Sequence, residues 1–297
     1  MKNNKVLLLS TALKQELGLV VTNIRPLNPG DLGDSAEVFS GVHDCQKIFI
    51  KLQATSESLR IESLALGLLR ERGISCPEVL GFIDNVKSLG LALLTDTALG
   101  GTPLSREEDA TKKLAACKAA GKMLKKIHEI KLEGFGSLKF HNNKLSGSLK
   151  TWRENVEHFR PDFEYLNEQG YINDKEFKKL VDAHEATASV FLPQASLIHG
   201  DYSPQHIYTA NGAITGIIDL GVCRAGDPRK DIATMHFFLS PDEAKIFDSG
   251  YGSLANDPMM TRYDLLQAAV KVEYRAKKGF ADRLPAALEA LKNNLSA

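Results

Sequence analysis

The hydrophobic pattern changes period partway along the chain. Up to about residue 96, short apolar or alternating runs are separated by Gly, Pro, Asn and Asp. They read as strands over 19–24, 37–42, 47–52, 79–83 and 89–95. One helix falls among them, over about 56–72. Its Ile61, Leu64, Ala65, Leu66, Leu68 and Leu69 leave it apolar nearly all round, with Glu62 embedded among them. An amphipathic helix is expected over 6–13. A signal peptide fits that stretch less well, because Ser10 and Thr11 interrupt it and Lys14, Gln15 and Glu16 follow.

Beyond residue 97 the helical period dominates. Ser105 with Glu108 reads as a capping box opening a helix to about 130, and 148–169 and 173–191 carry the same period. Further helices are expected over 229–239, after Ser240-Pro241-Asp242-Glu243, over 261–278 and over 284–295. No apolar run approaches the ~20 residues that cross a bilayer, so no membrane association is expected.

Composition narrows the function classes. Lys plus Arg equal Asp plus Glu at 37 each, whereas a dedicated nucleic-acid binder shows a basic excess. Cys45, Cys76, Cys117 and Cys223 have neither metal-ligand nor disulfide-framework spacing, which points to a reducing, cytoplasmic setting.

The chemistry concentrates in His199-Gly200-Asp201-Tyr202-Ser203-Pro204-Gln205-His206 and in Ile217-Ile218-Asp219-Leu220-Gly221. An apolar strand over 196–198 delivers Asp201 into a loop. Two short strands, at 207–208 and 213–218, are joined by Asn211-Gly212, the dipeptide of a tight hairpin. That hairpin returns Asp219 to the end where His206 lies, so three polar groups converge as a metal-phosphate site requires. Upstream, Lys51 alternates with apolar residues on a strand and either snorkels or enters a cleft. Glu62 is costly to bury unless paired, and Lys51 is its natural partner.

These residues resemble the catalytic apparatus of the protein kinase-like fold, and Gly200 together with Gly226-Asp227-Pro228 and Asp231 is similar to the aminoglycoside phosphotransferase and choline kinase-like family. His206 stands where that family usually has Asn, although some macrolide- and aminoglycoside-kinase branches carry His. The resemblance implies an α+β bilobal protein kinase-like fold, with a small antiparallel five-stranded nucleotide-binding lobe over 1–96. A mainly helical lobe over 97–297 would carry the catalytic loop and the acceptor site. It implies Asp201 as the base on the acceptor hydroxyl, with Asp219 and His206 toward Mg²⁺. ATP or GTP would be the donor, its phosphates held by Lys51 with Glu62. Gly33 and Ser35 in the 28–35 loop would offer backbone N–H groups to the phosphates, although an ordinary hairpin loop reads the same. Thr95 and Asp96 open a hinge whose backbone would meet a purine edge. His199, Asp227 and Asp231 are implied to brace the loop.

The acceptor is expected to be a small hydroxylated molecule, an aminoglycoside-type antibiotic foremost. A housekeeping metabolite kinase acting on a choline-, sugar- or amino-alcohol-type compound is the alternative, followed by a catalytically dead nucleotide-binding regulator. A polycationic acceptor would want an acidic pocket, and Glu154, Glu157, Asp162, Glu164, Asp242, Glu243 and Glu273 are available. Arg153, Arg160, Lys271, Arg275 and Lys277 intermingle with them, as on an ordinary solvated helix face. A monomer or homodimer is expected.

Overall fold

The computed structural model describes residues 2–27, 37–158 and 160–296. α1 (Lys2–Leu17) is followed by β1 (Thr22–Pro26), β2 (Glu37–His43), β3 (Gln46–Gln53), α2 (Glu57–Glu71), β4 (Val79–Val86) and β5 (Leu91–Thr97). The five strands form one antiparallel sheet in the order β1-β2-β3-β5-β4. Alternation along β3 decides what each face does. Ile48, Ile50 and Leu52 are buried with Leu9 and Leu13 of α1. The opposite face carries Phe49 and Lys51 toward α2. Lys51 is paired with Leu94 and Phe49 with Asp96, so Asp96 shares the face of Lys51. The first strand begins three residues later than expected because α1 runs to Leu17 and Leu19 N–H still bonds the Leu13 carbonyl.

The second lobe opens with β6 (Thr102–Pro103), a 3₁₀ turn (Leu104–Arg106) and α3 (Ala110–His128). The expected capping box does not form. Asp109 caps α3 instead, accepting from Lys112 N–H at 3.0 Å, while Ser105 N–H donates to the Pro204 carbonyl. β7 (Lys131–Leu132), β8 (Phe135–His141) and β9 (Lys144–Leu149) come next, then α4 (Trp152–His158), α5 (Phe163–Glu168) and α6 (Asp174–Ala188). β10 (Ala195–Ile198), β11 (Ile207–Ala210), β12 (Ala213–Ile217) and β13 (Arg224–Gly226) precede α7 (Arg229–Phe238), α8 (Pro241–Tyr251), α9 (Met260–Lys277) and α10 (Leu284–Ser296). The capping boxes of α6 (Asn173 with Glu176) and α8 (Ser240 with Glu243) both form.

Two features depart from the helical reading of this lobe. β8 and β9 form a hairpin turned by Asn142 and Asn143, both at positive φ, and join a second sheet ordered β7-β10-β13-β8-β9. The single helix expected over 148–169 is divided, because Pro161 cannot continue a helix and Asp162 caps a new one by accepting from Tyr165 N–H.

The main core joins α3, the second sheet, α7 and α8, and a separate cluster joins α5, α6, α9 and α10. α3 and α8 cross backbone to backbone. A Cβ at Gly121 would stand 2.2 Å from the Phe247 carbonyl oxygen, and one at Gly250 would stand 2.1 Å from that of Lys118. Gly121→Ala therefore overpacks rigid backbone, and we expect it to lower unfolding stability by about 1–3 kcal/mol in urea titration.

His236 ties three helices together. Its Nε2 lies 2.9 Å from Asp248 Oδ1 on α8 and its Nδ1 lies 3.0 Å from Asp264 Oδ1 on α9. Burial alone would lower its pKa, but the two carboxylates more than offset this and push it up to about 9. The stabilisation is complete below the ordinary histidine value and is lost as pH rises through about 9. Wild-type stability should fall by on the order of 3 kcal/mol across that window, and His236→Gln should flatten the profile.

Candidate active site

The loop after β10 is held from below. Asp231 of α7 is fully buried and accepts from His199 N–H at 2.6 Å and from Gly200 N–H at 2.9 Å. His128, at the end of α3, contacts the same carboxylate through Nε2 at 3.1 Å, and its Nδ1 lies 2.8 Å from the Tyr251 hydroxyl. At Gly200, φ is +87° and an added Cβ would stand 2.3 Å from the Val222 carbonyl oxygen, so only glycine fits there. Tyr202, fully buried, donates its hydroxyl to the Ala120 carbonyl of α3.

His199 connects this loop to the next. Its Nδ1 accepts from Asp201 N–H at 3.3 Å, which leaves Nε2–H to donate to the Ile218 carbonyl at 3.0 Å. Burial pushes its pKa down, in keeping with a neutral ring. β11 and β12 turn at Asn211 and Gly212, with φ of 53° and 76°, and Ile218 N–H closes the hairpin onto the His206 carbonyl at 3.0 Å. Asp219 follows with φ 66°, a left-handed conformation that aspartate tolerates better than most residues but that still needs local contacts to hold it.

His206 lies between the two acids. Its Nδ1–H donates to the Asp201 carbonyl at 2.9 Å and lies 3.6 Å from Asp201 Oδ2, while Nε2 lies 3.7 Å from Asp219 Oδ2. Its ring stacks on that of His199 at 6.0 Å between centroids. Burial would raise the Asp219 pKa, but Lys51 first, then His206 and His199, hold it below the usual carboxylate range.

From the first lobe, Lys51 donates to Glu62, which is buried. Burial opposes the charge on Lys51, yet Glu62, Asp96 and Asp219 together keep its pKa above the ordinary value. Asp96, 4% exposed, faces the same space, and burial pushes its carboxyl up to about 7 against the pull of Lys51. The Thr95 hydroxyl faces the other way and donates to the Phe49 carbonyl at 3.0 Å. Gly33 and Ser35 lie outside the described residues.

No three His, Cys, Asp or Glu side chains among the described residues form a ready metal cage. The available donors are the Asp219 carboxylate and His206 Nε2, whose lone pair is left free by the tautomer above. The carboxylate suits Mg²⁺, whereas the imidazole is a softer ligand than Mg²⁺ prefers, so phosphate oxygens or water would supply most of the remaining ligands.

A family model described as "Phosphotransferase enzyme family" (APH) matches residues 44–266, most of the chain. The chain belongs to this family. As a member it is a phosphotransferase with an alcohol group as acceptor. Aminoglycoside phosphotransferase APH(4)-Ia is similar in fold, with TM-score 0.75 and 17% identity over 98% of each chain. So is a thermostable mutant of that enzyme in ternary complex with AMP-PNP and hygromycin B, with TM-score 0.73 and 19% identity over 97% of each chain. A putative fructosamine-3-kinase from Thermobifida fusca YX-ER1 has TM-score 0.68 and 16% identity, covering 97% of this chain and 98% of that one. No curated protein matches the chain. The α+β bilobal, protein kinase-like architecture is thereby the fold of this phosphotransferase.

The structure relocates some of the side chains read as bracing or acceptor-binding. Asp227 does not hold the catalytic loop. It accepts from Arg229 and from the Tyr263 hydroxyl, fastening α7 to α9. Lys271, read as part of a solvated face, lies on α9 with Nζ 3.3 Å from Asp201 Oδ1. Seventy residues separate the two in sequence, and only the packing of α9 against α7 brings them together.

Asp231 is the testable brace of this phosphotransferase. Asp231→Asn keeps the shape but removes the buried charge, and we expect a loss of about 3–5 kcal/mol of stability. Amide exchange at His199 and Gly200 should rise with it, and unchanged exchange at both would remove the bracing role.

Proposed function

We propose that this phosphotransferase moves the terminal phosphoryl group of ATP or GTP, with Mg²⁺, onto a hydroxyl of a small molecule in the cytoplasm. The observation that carries the reading is the meeting of Asp201 and Asp219 about His206, with Lys51 held by Glu62 across the same space. The nucleotide lies against the 1–96 lobe, and the 97–297 lobe presents the acceptor. Lys51 binds the inner phosphates, and Gly33, Ser35 and the backbone at Thr95 and Asp96 hold the rest of the nucleotide. Asp219 and His206 would hold Mg²⁺, which when bound neutralises phosphate charge and fixes in-line geometry. Asp201 aligns the acceptor hydroxyl. As its oxygen bonds to the terminal phosphorus, the bridging P–O bond breaks, the proton passes to Asp201 and nucleoside diphosphate leaves. A dead regulator is disfavoured because a dead kinase has no evident need to keep Lys51, Glu62, Asp201 and Asp219 together. The protein acts as a monomer or homodimer.

Two acceptor classes remain, and the names of the structural neighbours support both an aminoglycoside, hence antibiotic resistance, and a sugar-amine metabolite. One observation favours the metabolite. Of the seven carboxylates that might have formed an acidic pocket, six are committed elsewhere and Asp242 stands exposed at the start of α8. Glu154 and Glu243 cap helices, Glu157 and Glu164 pair with Arg153 and Arg160, and Asp162 and Glu273 share Lys277.

Nucleotide consumption over a panel of hydroxylated acceptors tests the mechanism. Asp201→Asn should lower turnover by roughly 10²–10⁴-fold, and turnover left intact would remove the base assignment. His206→Asn should keep most activity, whereas His206→Ala should raise the Mg²⁺ concentration needed. Equal metal dependence in all three proteins would exclude a metal-linked role for this residue.

A further inference from the structure

The acceptor side of the catalytic carboxylate is basic. Lys271 is mostly buried, lies over the Phe238 ring with Nζ 5.3 Å from its centroid, and reaches Asp201. Gln267, one turn earlier on the same face of α9, lines a cavity of about 60 Å³ together with Trp152, Tyr263 and Lys230. Lys230 enters that cavity from α7. Among the described residues its side-chain ammonium forms no hydrogen bond or ion pair. Burial and the neighbouring Arg224 push its pKa down to about 8, against weaker support from Asp231 and Asp227. A cavity of this size holds several waters, or a group the size of a carboxylate or phosphate, but not a sugar ring. An amine-rich acceptor would have to bring its hydroxyl to Asp201 past the Lys271 ammonium. An acceptor carrying negative charge would instead draw Lys271 off Asp201 and free Oδ1 for the hydroxyl.

We infer that the acceptor is a hydroxylated molecule bearing an anionic group, a carboxylate or a phosphate, which Lys230 and Lys271 receive between α7 and α9 while its hydroxyl meets Asp201. This rests on the kinase reading above. Among the described residues no carboxylate pairs directly with the half-buried Lys230 ammonium, and the ligand supplies that anion.

The test is calorimetric titration of the full chain saturated with AMP-PNP and Mg²⁺, so that Lys51 is already covered. Glycerol 3-phosphate and D-glycerate serve as anionic probes, glycerol as the neutral one and 2-deoxystreptamine as the cationic one. At least one anion should bind about tenfold or more tighter than glycerol, and 2-deoxystreptamine no tighter than glycerol. Whichever anion binds better identifies the charged group. Lys271→Met and Lys230→Met should each weaken that anion by about tenfold, and the Arg variants should restore it. AMP-PNP affinity should be unchanged in all four, which separates lost charge from lost fold. The inference is overturned if neither anion exceeds glycerol, if the Met variants bind the anion as wild type does, or if 2-deoxystreptamine binds most tightly. Failure of AMP-PNP to bind the wild type would instead sink the kinase reading itself.

Discussion

The buried carboxylate of Asp231 is the constraint on which the rest depends. It has no access to water, and its charge is balanced by two backbone N–H groups of the loop after β10 and by His128. Burial would raise its pKa, but hydrogen bonding to His128, the two histidines and the loop amides hold it below the usual range. Because an ion so placed is stable only with every partner present, α3, α7 and the loop after β10 can assemble in one way. His199, oriented by the same loop, then passes that order to the Ile218 carbonyl and so to Asp219.

The cleft itself is arranged as a balance of charge. One ammonium, Lys51, stands among Glu62, Asp96 and Asp219. Its charge draws Asp219 below the carboxylate range, while burial, joined by Glu62 and Asp219, pushes Asp96 up to about 7. Asp219 pays for its place in left-handed backbone, a conformation that persists where hairpin closure and neighbouring contacts over-determine it. Near Asp201 the character is opposite, with Lys271 against its carboxylate, and Lys230 of α7 faces a small cavity.

Much of the fold was legible because it is written in local rules. The five strands of the first lobe follow from alternation and turn residues, and Ser240-Pro241-Asp242-Glu243 specifies a helix start that forms as read. The hairpin at Asn211-Gly212 is likewise local. The hairpin at Asn142-Asn143 carried a similar signal, two adjacent residues tolerant of positive φ, and it lay between flanks too mixed in polarity to declare themselves strands. Asp109 displaced the expected cap because Ser105 N–H was taken by the Pro204 carbonyl, a contact ninety-nine residues away.

The sequence alone determined that three polar side chains would meet, since Asp201, His206 and Asp219 lie within nineteen residues and a tight hairpin returns one end to the other. It also determined the pairing of Lys51 with Glu62, because an embedded carboxylate needs a cation and the preceding strand supplied one. Tertiary structure decided what surrounds them. Whether Asp227 or Asp231 holds the loop, which way Thr95 and Asp96 face, and that Lys271 reaches Asp201 all depend on helix packing and strand register between segments far apart in the chain. Local periodicity carries no information about which distant helix face will arrive at a given loop, and charge on such a face acquires meaning only when it does.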